Sequence, residues 1–596
     1  MTKTTTKMKK KKKKTAKVAM MNKTLLATLF ATSCLSMLAS NTARSEELYE
    51  PSLPESTMPE RLLEVLPEPD TATGSDKVVL NALKGLVFHG SPDTLLTDGW
   101  QGEVGVVMDR VDIPGDQQAL LAELKPYLGQ PLTFAGLNDI RRLMENWFSQ
   151  HDLPVIQVIA PPGQDITSGV VQYVVVTGRL GDIRVEGAKY NDPGRLVRSL
   201  GLSSGELLSS KVLNDNLGWL NRDPFREVSA LLAAGAEFGQ TDIILNVEDR
   251  PPRRFYTRYE NSGTPTTDLD RWIAGFNLGN LWQRDHLFSY QYTRAFHSKY
   301  LQAHAFDYQA PLSWRHIVDF SGAYAESKPE GLNSFNQQGR SWRLGGNYTI
   351  PLSGSDRLRR HELKLGYVFK RGNSDLEFGG VNVFSSDTDV SQFEIGYLLG
   401  ILDPYGLTEI NLRAVVSPGG MTRYNDDHDY QQARANASAD YQYARLSLKR
   451  QTPLPMDLVW QAELNVQGTG DSLLPTEQMA AGGYSTVRGY DQFAVLGDQG
   501  LILRNELRSP ARSLLAEQSG LQDQVQLLAF YDYATLGNNN RLAGERATNL
   551  ASAGLGLRYS LDRYLTVRLD YGWQLLEVSP GVGRGEQLHA AIELSY

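Results

Sequence analysis

The chain of 596 residues contains a single cysteine, Cys34, which lies in the only strongly apolar segment near the N-terminus. If that segment is removed, the mature protein has no cysteine, which excludes a disulfide framework and a thiolate metal site. No stretch of about 18 apolar residues follows Ala43, so no transmembrane helix is predicted beyond that point. The mean hydropathy of −0.35 is also too polar for a helical-bundle membrane protein.

Positive charge is scarce outside the first residues of the chain. Ten of the 60 Lys and Arg residues lie between Lys3 and Lys23, so the remainder carries 50 basic against 68 acidic residues. A body that acidic binds nucleic acid poorly, because affinity for phosphate requires clustered positive charge. The nine histidines form no His-Glu-x-x-His or other metal spacing, and no Walker loop occurs. We therefore predict no catalytic, cofactor or metal site, and no enzymatic activity.

Residues 1–43 are predicted to be a secretory signal peptide. A lysine run, Lys9–Lys14, precedes the apolar core Leu25–Leu38, and small residues follow it. This order of charged, apolar and small residues is typical of an exported protein. Three alternatives stay open: a nuclear-localisation patch formed by the lysines, a lipoprotein signal ending at Cys34, and a true start at Met21.

Two tandem α/β units are predicted after a linker, residues 44–77, that is rich in Pro, Glu, Ser and Thr. The first unit covers residues 78–178 and the second residues 179–250. Their helices are recognised by apolar residues at three- and four-residue steps. The predicted strands are Leu83–His89, Val106–Val111, Val155–Ala160, Val170–Thr177, Gly181–Glu186, Phe225–Ala234 and Asp242–Glu248. The predicted helices are Asp116–Tyr127, Thr133–Gln150, Pro193–Leu200 and Lys211–Leu220.

Residues 251–596 show a different pattern, in which apolar and polar side chains alternate. Roughly sixteen segments of about 9–14 residues each end in a turn-prone cluster. Soluble strands average about 5–6 residues, whereas strands that cross a tilted bilayer need about 9–11. Because lipid forbids open sheet edges, the strands should be even in number and closed. We therefore predict a transmembrane β-barrel of about 16 antiparallel strands, and a soluble sandwich or propeller is the alternative.

Aromatic residues near the segment ends are expected to form the interfacial girdles of this barrel. They are Tyr256, Trp272, Trp282, Trp314, Trp342 and Tyr596.

The most specific motif lies between the eleventh and twelfth predicted strands, in the long stretch Gln478–Asp498. It contains Val487, Arg488, Gly489 and Tyr490, preceded by Gly482-Gly483-Tyr484-Ser485-Thr486 and followed by Gly497-Asp498 and Arg504-Asn505-Glu506-Leu507. This resembles the Val-Arg-Gly-Tyr/Phe loop of the BamA superfamily of outer-membrane barrels.

Two connections in the first α/β unit are similar to those of the first POTRA domain of TpsB transporters. They are Pro161–Ile166 with Gly169-Val170, and Gly129–Thr133. Over about residues 78–596 the chain thus resembles the TpsB transporters of two-partner secretion, in the FhaC and hemolysin-exporter branch. An extra stretch around Val87–Gly105 departs from the family pattern.

The resemblance implies roles for individual residues. In the family the loop folds back into the barrel lumen, where its arginine pairs with an acid on the wall. Here the arginine is Arg488 and the expected partner is Asp532, with Glu506 as a second candidate. The planar fork of an arginine can grip a carboxylate at two points. The terminal aromatic, Tyr596, is part of the signal that the assembly machinery reads.

The resemblance also implies a function, which is the export of one large exoprotein of hemolysin or adhesin type across the bacterial outer membrane. The POTRA domains would bind the unfolded substrate in the periplasm by strand addition to a sheet edge. The expected edges are Val155–Ala160 and Phe225–Ala234. The implied partners are the exoprotein, outer-membrane lipid, periplasmic chaperones and the barrel-assembly machinery, without nucleic acid or cofactor.

Three other functions are weighed against export. A barrel-assembly insertase of the same superfamily usually carries more than the two POTRA units for which this chain has room. A passive porin would lack both these units and the loop motif. A barrel phospholipase needs a nucleophile and a base, for which we find no arrangement.

Overall fold

The computed structural model describes residues 63–65, 75–329, 335–352, 358–378, 381–515, 521–541, 546–579 and 581–596. The predicted signal peptide, Cys34 and most of the predicted linker lie outside these residues and stay predictions. Internal contacts divide the described chain between Pro252 and Arg253 into an α/β unit and a barrel. Among the described residues, no helix is long and apolar enough to cross a membrane.

The α/β unit contains ten strands and four α-helices within its described residues. In chain order they are β1 (Leu63–Val65), β2 (Val78–Leu80), β3 (Gly85–His89), β4 (Gly105–Asp109), α1 (Gln117–Leu124), β5 (Leu132–Thr133), α2 (Phe134–Gln150), β6 (Ile156–Ile159), β7 (Val170–Thr177), β8 (Arg179–Glu186), α3 (Pro193–Leu200), α4 (Ser210–Leu220), β9 (Arg226–Ala234) and β10 (Gln240–Asp249). Short 3-10 helices lie at Pro92–Thr94 and Lys125–Tyr127.

The first half of this unit is a four-stranded sheet in the order β4-β3-β7-β6, covered by α1 and α2. The hydroxyl of Thr133 caps α2 by accepting from the backbone N–H of Gly136, a favourable start for a helix. Ile140, Met144 and Phe148 follow at four-residue steps and are fully buried against the sheet, so the predicted amphipathic helix is confirmed.

The stretch that departs from the family pattern, Val87–Gly105, covers the end of β3 and the loop that leads to the edge strand β4. Here β4 pairs in parallel with the outer side of β3, and β3 also pairs in parallel with β7. The loop between β3 and β4 is fastened by the side chain of Gln172, which accepts from the backbone N–H of Leu96 at 3.1 Å and donates to its carbonyl at 2.7 Å. Within this sheet, the fully buried His89 lies 2.9 Å from Asp109 and 3.0 Å from Gln172.

The second half is a sheet in the order β1-β9-β10-β8, packed against α3 and α4. Asp192 caps α3 and Pro193 opens it, while Gly201 ends it at a φ of +64°, as expected for a left-handed C-cap. The short strand β1 pairs in parallel with β9 over Ala230, Leu231 and Leu232.

The barrel is closed by sixteen strands. They are β11 (Arg253–Glu260), β12 (Arg271–Leu281), β13 (His286–Ala295), β14 (Leu301–Pro311), β15 (Ile317–Ser327), β16 (Phe335–Pro351), β17 (Leu358–Phe378), β18 (Val381–Asp403), β19 (Gly406–Pro418), β20 (Asp440–Leu454), β21 (Leu458–Thr469), β24 (Gln499–Arg508), β25 (Asp523–Gly537), β26 (Thr548–Leu561), β27 (Leu565–Gln574) and β28 (Glu586–Ser595). Four further elements of the described residues lie in loops, namely α5 (Asp427–Ala433), a 3-10 helix (Pro455–Asp457), β22 (Met479–Ala481) and β23 (Val495–Gly497). The predicted fold class is confirmed.

Closure of the barrel joins the first and last strands. Tyr256–Glu260 of β11 pairs with Ala591–Ser595 of β28 in antiparallel register. Two further backbone hydrogen bonds, both 2.9 Å, connect Phe255 and Tyr596. The C-terminal residue therefore extends the ladder that seals the wall.

The alternation sorts side chains between the lumen and the outer surface. Trp272, Trp282, Trp314, Trp342 and Tyr596 are all exposed, as their proposed place at the bilayer interface requires. The expectation for Tyr256 is wrong, because its side chain is only 4% exposed and its hydroxyl donates to Gln291 at 3.0 Å. Its neighbours Phe255 and Thr257 take the outer face of β11 instead.

Candidate functional site

The motif loop, here called L6, comprises residues 470–498 between the eleventh and twelfth barrel strands. Its stem is a short hairpin in which β22 pairs with β23, from Met479 opposite Gly497 to Ala481 opposite Val495. This hairpin positions the tip, Val487–Tyr490. All four tip residues are buried, and Arg488 is fully buried.

Arg488 makes a two-point contact with Asp532 of β25. Nε of Arg488 lies 2.7 Å from Oδ2 of Asp532 and Nη2 lies 2.8 Å from Oδ1. The backbone N–H of Arg488 donates to the same Oδ2 at 3.1 Å. A planar guanidinium engages both oxygens of a carboxylate in this way, whereas a lysine ammonium cannot. The tip is thus bound to the barrel wall by its side chain and by its backbone.

Two further acids complete the surroundings of Arg488. Nη1 lies 2.6 Å from Glu506 of β24 and 3.5 Å from Asp570 of β27. Asp570 also pairs with Arg558 and Arg568, each at 2.9 Å. The ring of Phe530 lies under the guanidinium, 3.6 Å from Cζ to the ring centroid. Charges removed from water require partners of this kind, because an unpaired buried charge is costly.

Gly489 lets the tip approach the wall closely. Its φ is +87°, and a Cβ at this position would lie 2.8 Å from the carbonyl oxygen of Gly572. Its N–H donates to Nε2 of His589 at 3.0 Å, and its carbonyl accepts from Gln574 at 2.7 Å. A residue with a side chain would meet both a strained backbone and a clash here.

Tyr490 and Val487 bury the apolar part of the tip. The Tyr490 hydroxyl lies 2.7 Å from the carbonyl oxygen of Leu576 and 2.8 Å from that of Ala551. Val487 and Tyr490 pack with Ile502 and Leu550 on the wall. All four residues of the motif therefore contact the barrel wall.

The structure brings together Arg488, Asp532 and Glu506, the three residues named from sequence, while Tyr596 lies apart from them at the closing seam. Sequence reasoning missed Asp570 and His589. Both occupy lumen-facing positions of an alternating strand. Alternation alone makes many lumen-facing side chains equal candidates for contact with the loop. Their contacts with the loop depend on how strands far apart in sequence meet across the barrel.

The α/β unit presents a groove of about 1060 Å³ between its two halves. Its walls are α2, β6, the loop Pro161–Gln164 and the turn between β9 and β10. In the sheet β4-β3-β7-β6 no described strand pairs with the outer side of β6, as predicted. The matching expectation for Phe225–Ala234 is wrong over Ala230–Leu232, because β1 already pairs with that edge.

The connection between β6 and β7, beside this groove, is stabilised by its own polar groups. Gln164 bridges Pro161 and Gln172 through three hydrogen bonds of 2.8–3.1 Å. The backbone N–H of Thr167 donates to Asp165 at 2.9 Å, which lowers the pKa of that carboxyl. The connection therefore holds a fixed shape next to the free edge of β6.

One string in the chain has the Gly-x-Ser-x-Gly spacing of a nucleophile elbow, from Gly201 to Gly205. In the structure it forms the loop after α3, whereas a nucleophile elbow joins a strand to a helix. No cluster of three or more His, Cys, Asp or Glu side chains suited to a metal is found among the described residues.

Comparison with known proteins places the chain in a family. The model of the haemolysin secretion/activation proteins ShlB/FhaC/HecB matches residues 239–559, and that of the ShlB-type POTRA domain matches residues 108–178. The outer membrane transporter CdiB of Dickeya dadantii is 24% identical over 77% of this chain and 80% of its own. The heme/hemopexin transporter protein HuxB of Haemophilus influenzae is 23% identical over 80% of this chain and 85% of its own.

Solved structures show the same fold. CdiB from Escherichia coli superposes with a TM-score of 0.67 at 17% identity, covering 95% of this chain and 97% of its own. CdiB from Acinetobacter baumannii superposes with a TM-score of 0.58 at 17% identity, covering 94% of this chain and 99% of its own. The chain belongs to the haemolysin secretion/activation family and is an outer-membrane transporter of two-partner secretion, which acts with a secreted exoprotein and has its POTRA domains in the periplasm.

Proposed function

We propose that this transporter exports one large exoprotein of hemolysin or adhesin type, unfolded, through the barrel lumen. The observation that carries the proposal is the buried contact of Arg488 with Asp532, Glu506 and Asp570, which binds the tip of L6 to the lumenal wall. A passive porin has no need of such a charged lock inside its channel. In this proposal L6 closes the resting channel to polypeptides, while small ions still pass, and it changes its contacts during transport, without catalysis.

Reception of the substrate is assigned to the free edge of β6. An extended chain can add as a strand there, since no described strand pairs with that side of β6 and the side chains of the added strand would enter the adjoining groove. The exposed ring of Phe238, on the turn between β9 and β10, lines the same groove. These features support binding of an unfolded, partly apolar polypeptide.

The remaining assignments complete this proposal. Residues 1–43 direct export, 78–178 and 179–250 are the POTRA domains, and 251–596 form the barrel. The predicted linker 44–77 is more than a linker, because its residues Leu63–Val65 form β1, which pairs with β9 of the second sheet. Periplasmic chaperones deliver the chain to the barrel-assembly machinery, which reads the terminal Tyr596. A large exoprotein with an N-terminal secretion domain, encoded by a neighbouring gene, would be the substrate to test.

Crosslinking tests the reception step. Removal of the predicted signal peptide leaves no cysteine, so single cysteines can carry a photoactivatable crosslinker. We expect Gln157→Cys, on β6, to capture the neighbouring exoprotein during secretion. The matched control is Val107→Cys on β4, the opposite edge of the same sheet. Equal capture at both positions, or capture at Val107→Cys alone, would reject β6 as the receiving edge.

The transport step is measured separately, as the fraction of exoprotein found in the medium. Cells that carry the transporter should release the exoprotein, and cells that lack it should retain it in the periplasm. Equal release from both strains contradicts the export of this substrate whatever the crosslinking result.

A further inference from the structure

A second buried charge pair lies at the base of L6, away from the motif. Asp498 is fully buried and its carboxylate accepts from Arg434 at 2.6 and 3.0 Å. It also accepts from the backbone N–H of Leu473, the backbone N–H of Asn539 and the side chain of Gln478, at 2.8–3.1 Å. One carboxylate thus receives five hydrogen bonds, and every donor is a loop residue.

The donors come from three neighbouring loops. Arg434 belongs to the loop between β19 and β20, here called L5 (residues 419–439), and Asn539 belongs to the loop after β25. Leu473 and Gln478 belong to L6 itself. Because the POTRA domains that precede β11 are periplasmic, the loops after odd-numbered barrel strands lie at the extracellular end. Asp498 therefore joins three extracellular loops.

L5 is a folded element rather than a loose connection. Asp426 caps its helix α5 by accepting from Asp429 at 2.9 Å. Tyr430 is fully buried, and its hydroxyl donates to the backbone carbonyl of Asp389 on β18 at 2.7 Å. Asp427 accepts from the N–H of Ala439 at 2.8 Å, which closes the loop on itself. L5 is thus a small lid fastened to the wall on one side.

The other side of this lid rests on L6. Tyr430, Ala437 and Ala439 of L5 share one apolar cluster with Leu473 and Leu474 of L6. Arg434, at the end of α5, extends from this cluster to Asp498 and also donates to the carbonyl of Leu473. The lid and the base of L6 are therefore held together by apolar contact and by a bidentate ion pair.

L6 itself crosses the lumen. Glu477 in its base accepts from Lys370 of β17 and from Tyr443 of β20, both at 3.0 Å. Arg488 at its tip binds Asp532 of β25. In the barrel of sixteen strands, β17 is the seventh and β25 the thirteenth, so the two anchors lie on well-separated parts of the wall. A polypeptide that leaves through the lumen has to pass both L6 and the lid that rests on it.

We propose that L5 is an outer latch of the pore, held shut by the pair of Arg434 and Asp498, and that this latch opens each time substrate passes. Arg434 and Asp498 are positioning residues that act on L6, and they touch no substrate in the resting state. The inference rests on the proposed export through the lumen and adds a second gate, in series with the motif.

A reversible disulfide tests the latch directly. The backbone N–H of Ser438 in L5 donates to the carbonyl of Ser472 in L6 at 3.3 Å, a close approach of the kind that a disulfide requires. In Ser438→Cys/Ser472→Cys, oxidation should lower secretion at least tenfold and reductant should restore it. The control pair Ala414→Cys/Ala444→Cys joins directly paired positions of two adjacent wall strands, and secretion should be unchanged.

Channel leakage gives an independent measurement that does not require the exoprotein. Arg434→Ala should raise uptake of a large antibiotic such as vancomycin severalfold at normal folded levels. The matched control Arg423→Ala removes an exposed arginine of the same loop and should have no effect. Normal secretion by the oxidised disulfide variant, with the crosslink verified on a gel, would overturn the latch and leave the export function standing. Loss of secretion in the unmodified transporter would instead refute the export proposal.

Discussion

At the scale of the residue, the central fact is one guanidinium surrounded by three carboxylates. Arg488 reaches Asp532 and Glu506 at hydrogen-bond distance and Asp570 at 3.5 Å. Moving charges out of water is costly, and good geometry only offsets that cost. Such a lock is consequently a specific contact that changing conditions can release, rather than a main source of barrel stability. The stability comes from the closed hydrogen-bond ladder.

We expect Arg488→Ala to reduce secretion sharply while folded levels stay near normal. Truncating one member of a buried pair typically costs about 3–5 kcal/mol, and a hydrated lumen should lower that figure. Asp532→Ala should give a similar defect, and the double variant should be little worse than either, as expected for direct partners. Glu506→Gln should be milder, because Glu506 makes one contact with Arg488 where Asp532 makes three.

The amount of exoprotein in the medium measures secretion, and heat-modifiable migration on a gel measures the level of folded transporter. Arg488→Lys separates geometry from charge, since a lysine keeps the charge but loses the fork, and it should remain defective. If the single defects of Arg488→Ala and Asp532→Ala simply add in the double variant, the two residues do not act as a pair.

Sequence reasoning reached this site in part, for an identifiable physical reason. The loop motif named Arg488, and the resemblance placed its partner on the strand that carries Asp532. Asp570 and His589 were not predicted, because alternation shows whether a side chain faces the lumen or the lipid but not which loop it contacts. Asp498 was seen only as part of a motif. Its five hydrogen bonds come from four residues in three loops, and the meeting of these loops depends on the whole barrel.

At the scale of the element, strands were predictable where they are long and alternating. The barrel strands satisfy both conditions. Their number followed from counting the alternating segments, and their closure followed from the bilayer. The pairing of β1 with β9 was not predictable, because three residues carry no periodic signal and their partners lie 167 positions further along the chain. The prediction that Tyr256 lies in the interfacial girdle was wrong for a related reason. An aromatic residue near a strand end can face the lumen as readily as the bilayer interface.

The last strand carries a prediction about assembly. Deleting Tyr596 removes two backbone hydrogen bonds to Phe255 and leaves the seam with the five residue pairs of β11 and β28. Each backbone group left unpaired in lipid costs several kcal/mol. We expect the yield of folded barrel to fall severalfold, with secretion per folded molecule nearly unchanged. Tyr596→Phe keeps the backbone and the ring and should assemble normally.

Heat-modifiable migration and exoprotein release together check this prediction. Normal folded yield for the deleted chain would show that neither the terminal hydrogen bonds nor the aromatic residue matters for assembly.

At the scale of the whole molecule, the two units are stabilised by different means. The α/β unit has two apolar cores, one around Phe88 and Tyr173 and the other around Leu217 and Ile243. The barrel relies on a closed ladder of sixteen strands and turns its apolar side chains toward lipid. The apolar cores of the α/β unit contain no barrel residue, and the ladder of the barrel contains no strand of the α/β unit. We therefore expect each unit to fold without its neighbour.

Deleting Asp76–Glu248 should therefore leave a barrel that inserts into the outer membrane but exports nothing. The deletion removes the free edge of β6 and both POTRA cores, while every barrel strand and the contacts of Arg488 remain. We expect heat-modifiable migration and conductance in planar bilayers to persist, because the pore belongs to the barrel, and exoprotein in the medium to fall to background. Secretion at the normal rate would show that the POTRA domains are dispensable for export, whereas loss of the folded barrel would show that the two units depend on each other for stability.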